Sequence, residues 1–172
     1  MKYLSWIAFT YVLLAVLSPL LGYLDAQLFA PDVALITALY VGSRGSWVAS
    51  LLCGFAVGLL KDGFSLAAPV GIYTEICALM ALLAQLLRNR VDLVSPMPVM
   101  ATAAATSVLS TALFLAFEAV FARTFDAYAA VVATALPLAL TTMLWAPAQF
   151  ALLERMGRRF DQHNRGAMLL RR

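Results

Sequence analysis

Charged residues are scarce in this sequence, and their scarcity excludes most soluble folds. Of 172 residues, 12 are Lys or Arg and 9 are Asp or Glu, while 63% are hydrophobic. A soluble domain of this length has no core large enough to hide so much apolar chain. We therefore expect the chain to lie in a membrane. Its net charge of +3 is attributed to membrane topology and is not a signal for nucleic-acid binding.

Histidine, cysteine and catalytic motifs are also scarce. His163, the one histidine, lies in a polar tail without metal-ligand spacing, so no metal or cofactor is expected. Cys53 and Cys77 both lie within apolar runs, which argues against a structural disulfide. The sequence contains no His-Glu-x-x-His, Gly-x-Ser-x-Gly or P-loop motif. These absences predict a protein that is not an enzyme.

Long apolar runs, by contrast, fill most of the chain. They cover residues 4–24, 28–41, 47–60, 69–87, 98–121 and 128–153. A helix needs about 20 apolar residues to cross about 30 Å of hydrocarbon, and the second and third runs, at about 21 Å each, fall short of that. We expect an all-α integral membrane protein, a compact bundle of six transmembrane helices with the second and third short. This domain would cover residues 1–153, followed by a basic cytoplasmic tail over 154–172.

The basic residues predict how the chain is threaded through the membrane. If all six runs cross and the amino terminus is cytoplasmic, ten of the twelve lysines and arginines lie inside, and only Lys61 and Arg123 lie outside. This distribution follows the positive-inside rule and places both termini in the cytoplasm. The alternative is a re-entrant hairpin formed by runs two and three. It would leave Arg44 in hydrocarbon at a cost of about 3 kcal/mol or more.

Membrane lipid is thus an expected partner of the chain. Trp6, Trp47 and Trp145 lie near run ends or final turns, as interfacial anchors do. The start of the tail, residues 154–160, is basic and partly aromatic. It has two interpretations: attraction to anionic lipid together with retention of topology, or contact with a cytoplasmic partner.

A stripe of small residues that ends in a carboxylate marks the third run. Ser50, Gly54, Gly58 and Asp62 follow one another at four-residue spacing, so they share one helix face. Small residues allow another helix to press closely against that face. Asp62 lies at a helix C-terminus, where the dipole disfavours an anion. It therefore needs a partner, which could be Lys61, a facing backbone donor or a group on another chain.

Two further acidic residues lie near this stripe in the sequence. Pro31 and Asp32 suit the first turn of the second helix, and Asp32 lies on the same predicted outer side as Asp62. Glu75 follows Gly71 in the fourth run, and an ionisable group at membrane depth is a functional candidate. Two interpretations of Glu75 stay open: a buried bond to a neighbouring helix, or a site that faces a cavity or a partner.

Taken in order, these motifs resemble those of the rod shape-determining MreD family. In that family a Pro-Asp pair opens the second helix, and here it is Pro31-Asp32. A Gly-Phe-x-x-Gly-Leu-x-x-Asp string closes the third, matched by residues 54–62, and a glycine-containing entry starts the fourth, matched by Gly71. Glu75 departs from the mostly apolar residues expected at its position.

The resemblance implies a non-enzymatic scaffold of the bacterial inner (cytoplasmic) membrane, part of the elongasome that sets cell shape. Its partner would be an MreC-like protein, and through it MreB, RodA and a penicillin-binding transpeptidase of peptidoglycan synthesis. No cofactor and no nucleic acid is implied. The candidate residues for partner contact or structure are Pro31, Asp32, Ser50, Gly54, Gly58, Asp62, Gly71 and Glu75.

The family is also similar in fold to the S components of energy-coupling-factor vitamin transporters. This similarity gives the alternative function, a small-molecule-binding membrane subunit of a vitamin-type transporter. It predicts a polar pocket that opens outward. The sequence offers few groups to line such a pocket beyond Tyr73, Thr74 and Glu75.

Overall fold

The predicted all-α fold is confirmed. The computed structural model describes residues 2–24, 29–65, 69–91, 93, 95–121 and 128–169, with side chains of the last helix described up to residue 159. Within these ranges there is no β-strand, and six helices form a compact bundle. The helices are α1 (Lys2–Tyr23), α2 (Val33–Arg44), α3 (Trp47–Phe64), α4 (Ile72–Leu87), α5 (Pro96–Phe121) and α6 (Tyr128–Leu169).

The second helix, α2, is short as predicted and forms the centre of the bundle. It has 12 residues, about 18 Å, and every residue from Val33 to Ser43 is buried. It contacts all five other described helices. A helix that is buried on all sides needs no polar face, which accounts for its nearly continuous apolar sequence. Protein, rather than lipid, surrounds this helix.

The third helix is longer than its apolar run predicted. Helix α3 has 18 residues and continues through Lys61, Asp62 and Gly63, a segment with the composition of a turn. The charged side chains are accommodated because Lys61 pairs with Asp32 and Asp62 accepts hydrogen bonds from α4. The other short helix is therefore α4, which has 16 residues and begins after Gly71.

Among the described residues, four helices are long and apolar enough to cross a membrane: α1, α3, α5 and α6. Many of their large apolar side chains are exposed, including Leu4 and Val16 on α1 and Leu136 and Leu144 on α6. An exposed apolar surface of this extent suits contact with hydrocarbon and not with water. Together these features describe a membrane protein.

Described charges separate toward the two ends of the bundle. At one end α2 and α4 begin and α3 ends, and this acidic end carries Asp32, Asp62 and Lys61. At the other, the basic end, Arg44 and Arg88 line one cavity. The predicted segregation of basic residues is therefore found among the described residues. Which end faces the cytoplasm stays a prediction.

The interfacial role expected of Trp6 is wrong, because this side chain lies in the core. It is 3% exposed, and its indole N–H donates to the carbonyl oxygen of Leu153 at 3.2 Å. Its ring meets Tyr40 edge-on at 5.1 Å, and Tyr40 meets Phe150 in the same way at 5.3 Å. This aromatic chain holds α1, α2 and α6 together. Trp47, by contrast, is 53% exposed.

Candidate functional site

Asp32 joins three elements at the acidic end. As the N-cap of α2, it accepts a hydrogen bond from the backbone N–H of Leu35 at 3.1 Å. Its other carboxylate oxygen pairs with the ammonium group of Lys61, on α3, at 2.6 Å. Its own backbone N–H donates to the hydroxyl of Thr142, on α6, at 3.0 Å. The helix-start role expected from the sequence is confirmed, and the ion pair adds to it.

Asp62 has the partner that an anion at a helix C-terminus requires. The partner is a set of backbone N–H groups on the facing helix, α4. Its carboxylate accepts from the backbone N–H groups of Gly71 at 3.0 Å, Tyr73 at 3.1 Å and Thr74 at 3.0 Å, and from the Thr74 hydroxyl. These groups form the start of α4, where the helix dipole favours an anion. The carboxylate is therefore disfavoured by its own helix and stabilised by the next one.

Gly71 explains why this cap comes from another helix. It occupies the N-cap position of α4 with a positive φ of 112°, which glycine tolerates best, and it has no side chain to accept a hydrogen bond. The first N–H groups of a helix have no partner within the helix. Asp62 supplies the missing acceptor, and it is itself buried.

The small-residue stripe of α3 packs against α4. A methyl group placed on Gly54 would lie 2.9 Å from the carbonyl oxygen of Cys77, and one on Gly58 would lie 2.6 Å from that of Tyr73. Both distances are too short for a side chain, so the glycines are needed for the close approach of the two helices. Ser50, at the far end of the stripe, donates to the Val41 carbonyl at 3.2 Å.

Two other predicted residues are more accessible. Pro31 is half-buried, and its carbonyl accepts from the backbone N–H of Val33 at 2.9 Å. Glu75 is exposed on the outward face of α4, and its carboxylate makes no hydrogen bond or ion pair with any described residue. Of the two interpretations of Glu75, the buried bond to a neighbouring helix is not found in the described part of the chain.

A polar column inside the bundle had no signal in the sequence analysis. The Gln149 amide donates to Thr37 at 2.8 Å and to the Val33 carbonyl at 2.9 Å. Thr37 in turn shares a hydrogen bond with Thr10 at 2.8 Å. These buried groups connect α1, α2 and α6. Isolated Thr and Gln residues in apolar runs are common, so their convergence appears only in three dimensions.

A cavity of about 640 Å³ opens beside Asp32 at the acidic end. We name it the acidic-end cavity. Its walls are mostly apolar and come from α1, α3, α4, α6 and the start of α2, and its polar groups are Ser18, Asp32, Lys61, Ser65 and Tyr73. The Lys61 ammonium lies 4.2 Å from the centre of the Tyr73 ring, an attractive cation–π distance. Both charges in the cavity are thus already paired within the chain.

Comparison with known proteins gives no match: neither a family model, nor a curated protein, nor a solved structure is similar to this chain. What the protein does is therefore inferred from its residues and their geometry.

Proposed function

We propose that this protein is a non-enzymatic scaffold of the bacterial inner membrane, an MreD-like part of the cell-elongation machinery. In this role it binds an MreC-like protein, which links it to MreB filaments, RodA and a penicillin-binding transpeptidase. One observation carries the proposal. The motif residues that resemble the MreD family, spread from Pro31 to Gly71, meet at one junction of α2, α3 and α4. Motifs that converge in this way are typical of residues that hold together a helical core common to a family.

The same geometry changes which residues are assigned to the partner. Asp32, Asp62 and Ser50 are buried, and their polar groups are bonded within the chain. Gly54 and Gly58 are covered by α4. In the proposed scaffold these five residues hold the fold. Gly71 likewise holds the start of α4, where its N–H donates to Asp62. The partner contact then falls to the two remaining members of the candidate set, Glu75 on α4 and Pro31 at the acidic-end cavity.

Glu75 gives the sharpest test of this assignment. A carboxylate on an otherwise apolar helix face is costly in lipid, and a donor from a partner helix would remove that cost. Glu75→Gln should lower the yield of the co-purified MreC-like protein about tenfold, which corresponds to the loss of one charge-assisted hydrogen bond. The measurement is affinity purification from membranes that contain both proteins.

Glu154→Gln is the control, because it makes the same chemical change on a half-buried residue of α6 whose carboxylate is already paired with Arg158. Its complex yield should equal that of the wild type. Equal yields for both variants would move the contact away from Glu75. Failure of the wild-type protein to retain the MreC-like protein would contradict the scaffold function itself.

The acidic-end cavity favours a second candidate function, the small-molecule-binding subunit of a vitamin-type transporter. Its volume of about 640 Å³ lies within the usual range for ligand sites. Mass spectrometry of the denatured, purified protein would detect a stoichiometric small molecule if this candidate is right. Leu17→Trp, which fills the cavity from α1, should then abolish its retention. The absence of any such molecule, together with MreC-like protein in the complex, favours the scaffold.

A further inference from the structure

A second cavity, at the basic end, gathers three arginines from two separate connections. It has a volume of about 650 Å³ and is lined by residues 43–44, 88–91 and Leu93. Arg44 ends α2, whereas Arg88 and Arg90 follow α4. We name it the basic-end cavity. The positive-inside rule favours arginines on this side of a membrane, but it does not require that they line the same cavity.

The packing of α2 against α4 brings these arginines together. A methyl group on Gly42 would clash with the carbonyl oxygen of Ala81, and it would lie 2.7 Å from the side chain of Ala84. Gly42 has no side chain and the alanines opposite it have small ones, so the two helix ends approach closely. Arg44 and Arg88 lie just beyond this contact, so their charges are held near each other by the fold.

The three positive charges have no acidic partner among the described residues. The ion pairs found there are Lys61 with Asp32 and Arg158 with Glu154. Arg88 makes one long hydrogen bond, 3.4 Å, to the carbonyl oxygen of Gly45. Like charges that share a cavity repel one another, and a bound anion would relieve that repulsion.

The shape and chemistry of the cavity indicate the kind of anion. Arginine presents a planar fork of donors that matches the oxygens of a phosphate group. Beside the arginines, Val91 and Leu93 add partly buried apolar surface. The cavity lies where α2 and α4 end, in a bundle whose four longer helices have membrane-crossing length. We therefore expect it near the depth of the phospholipid headgroups.

We propose that the basic-end cavity binds the phosphate of an anionic phospholipid headgroup. The arginine side chains hold the phosphate, and the apolar wall formed by Val91 and Leu93 faces the glycerol and the start of the acyl chains. This site is independent of the proposed scaffold function, since it involves neither Glu75 nor the acidic end.

Native mass spectrometry of the full-length protein tests the proposal. Purified protein is exposed to equal amounts of phosphatidylglycerol and phosphatidylcholine, and the lipids that remain bound are counted. The wild type should retain phosphatidylglycerol preferentially. The variant Arg88→Gln/Arg90→Gln should lose that preference by about fivefold for each arginine removed. Arg88→Lys/Arg90→Lys, which keeps the charge but not the fork, should retain part of it.

Arg158→Gln is the matched control, since it removes an exposed arginine that is already paired with Glu154. Because the tail itself can attract anionic lipid, this variant should lose less of the preference for phosphatidylglycerol than the roughly fivefold expected for each cavity arginine, and thermal unfolding of each variant checks that it is folded. Equal retention of the two lipids by the wild type, or an unchanged preference in the double glutamine variant, would overturn the proposal. Binding of inorganic phosphate at millimolar concentration with no retained lipid would also overturn it, because the site would then recognise free phosphate and not a lipid.

Discussion

At the scale of single residues, two carboxylates at the acidic end are used in opposite ways. Asp62 is buried and accepts four hydrogen bonds from the first turn of α4. Glu75, the residue after Thr74 in the first turn of α4, is exposed and unpartnered among the described residues. The difference follows from position. Asp62 points at donors that have no other partner, whereas the backbone near Glu75 is already bonded within its helix.

Asp62→Ala is predicted to destabilise the fold by about 2–4 kcal/mol, since it leaves one buried and two partly buried backbone N–H groups, together with the Thr74 hydroxyl, without this acceptor. Asp62→Asn keeps one acceptor oxygen and should lie between the alanine variant and the wild type. Thermal or denaturant unfolding in detergent measures the effect. Glu75→Gln serves as the control and should change stability by less than about 0.5 kcal/mol. An Asp62→Ala protein as stable as the wild type would contradict the capping role.

At the scale of helices, the α3–α4 contact depends on glycine at specific positions. The face of α3 that carries Gly54 and Gly58 approaches the backbone of α4 too closely for any side chain. Gly63, one turn beyond, has no atom within 4 Å of where its side chain would begin. The same helix therefore contains glycines that packing requires and one that it does not.

This contrast yields a matched pair of substitutions. Gly58→Ala should destabilise the protein by about 1–3 kcal/mol, because the new methyl group would clash with the α4 backbone at Tyr73 and Thr74. Gly63→Ala meets open space and should be neutral or stabilising by up to about 1 kcal/mol, owing to the higher helix propensity of alanine. Unfolding midpoints of the two variants, measured side by side, check the prediction. The reverse order of stability would rule out the close contact.

At the scale of the whole molecule, the separation of described charges between two ends predicts an orientation. The basic end should face the cytoplasm and the acidic end the opposite side. Both cysteines are buried, so a membrane-impermeant thiol reagent should react little with the wild type. Exposed positions exist at each end: Val70 at the acidic end is 82% exposed, and Asn89 lies at the rim of the basic-end cavity.

Val70→Cys should therefore be labelled in intact spheroplasts, while Asn89→Cys should react only after the membrane is permeabilised. Labelling is measured by gel shift with a bulky maleimide. The opposite pattern would reverse the orientation. Labelling of both positions from outside would contradict passage of the intervening α4 through the membrane.

The sequence predicts the helical class, the apolar surface and the close approach at Gly54 and Gly58, because each of these depends on local spacing and composition. It predicts that Asp62 needs a partner but not which one, since helix physics gives the sign of the dipole and no information on the neighbouring helix. For the same reason the third apolar run, residues 47–60, stops short of the observed end of α3 at Phe64. By composition Lys61 and Asp62 suggest a turn. In the fold they belong to the helix, because Lys61 pairs with Asp32 and Asp62 accepts hydrogen bonds from the start of α4.

The burial of α2 on every side has a consequence for how the chain is synthesised. A 12-residue helix is too short to leave the translocon for lipid by itself, and in the finished bundle it faces only protein. It should therefore enter the bilayer paired with α3, as a hairpin, and wait there until α4 and α6 enclose it. Ribosome-stalled chains that end before α6 would then carry an unshielded α2, the form on which membrane chaperones and quality-control proteases act.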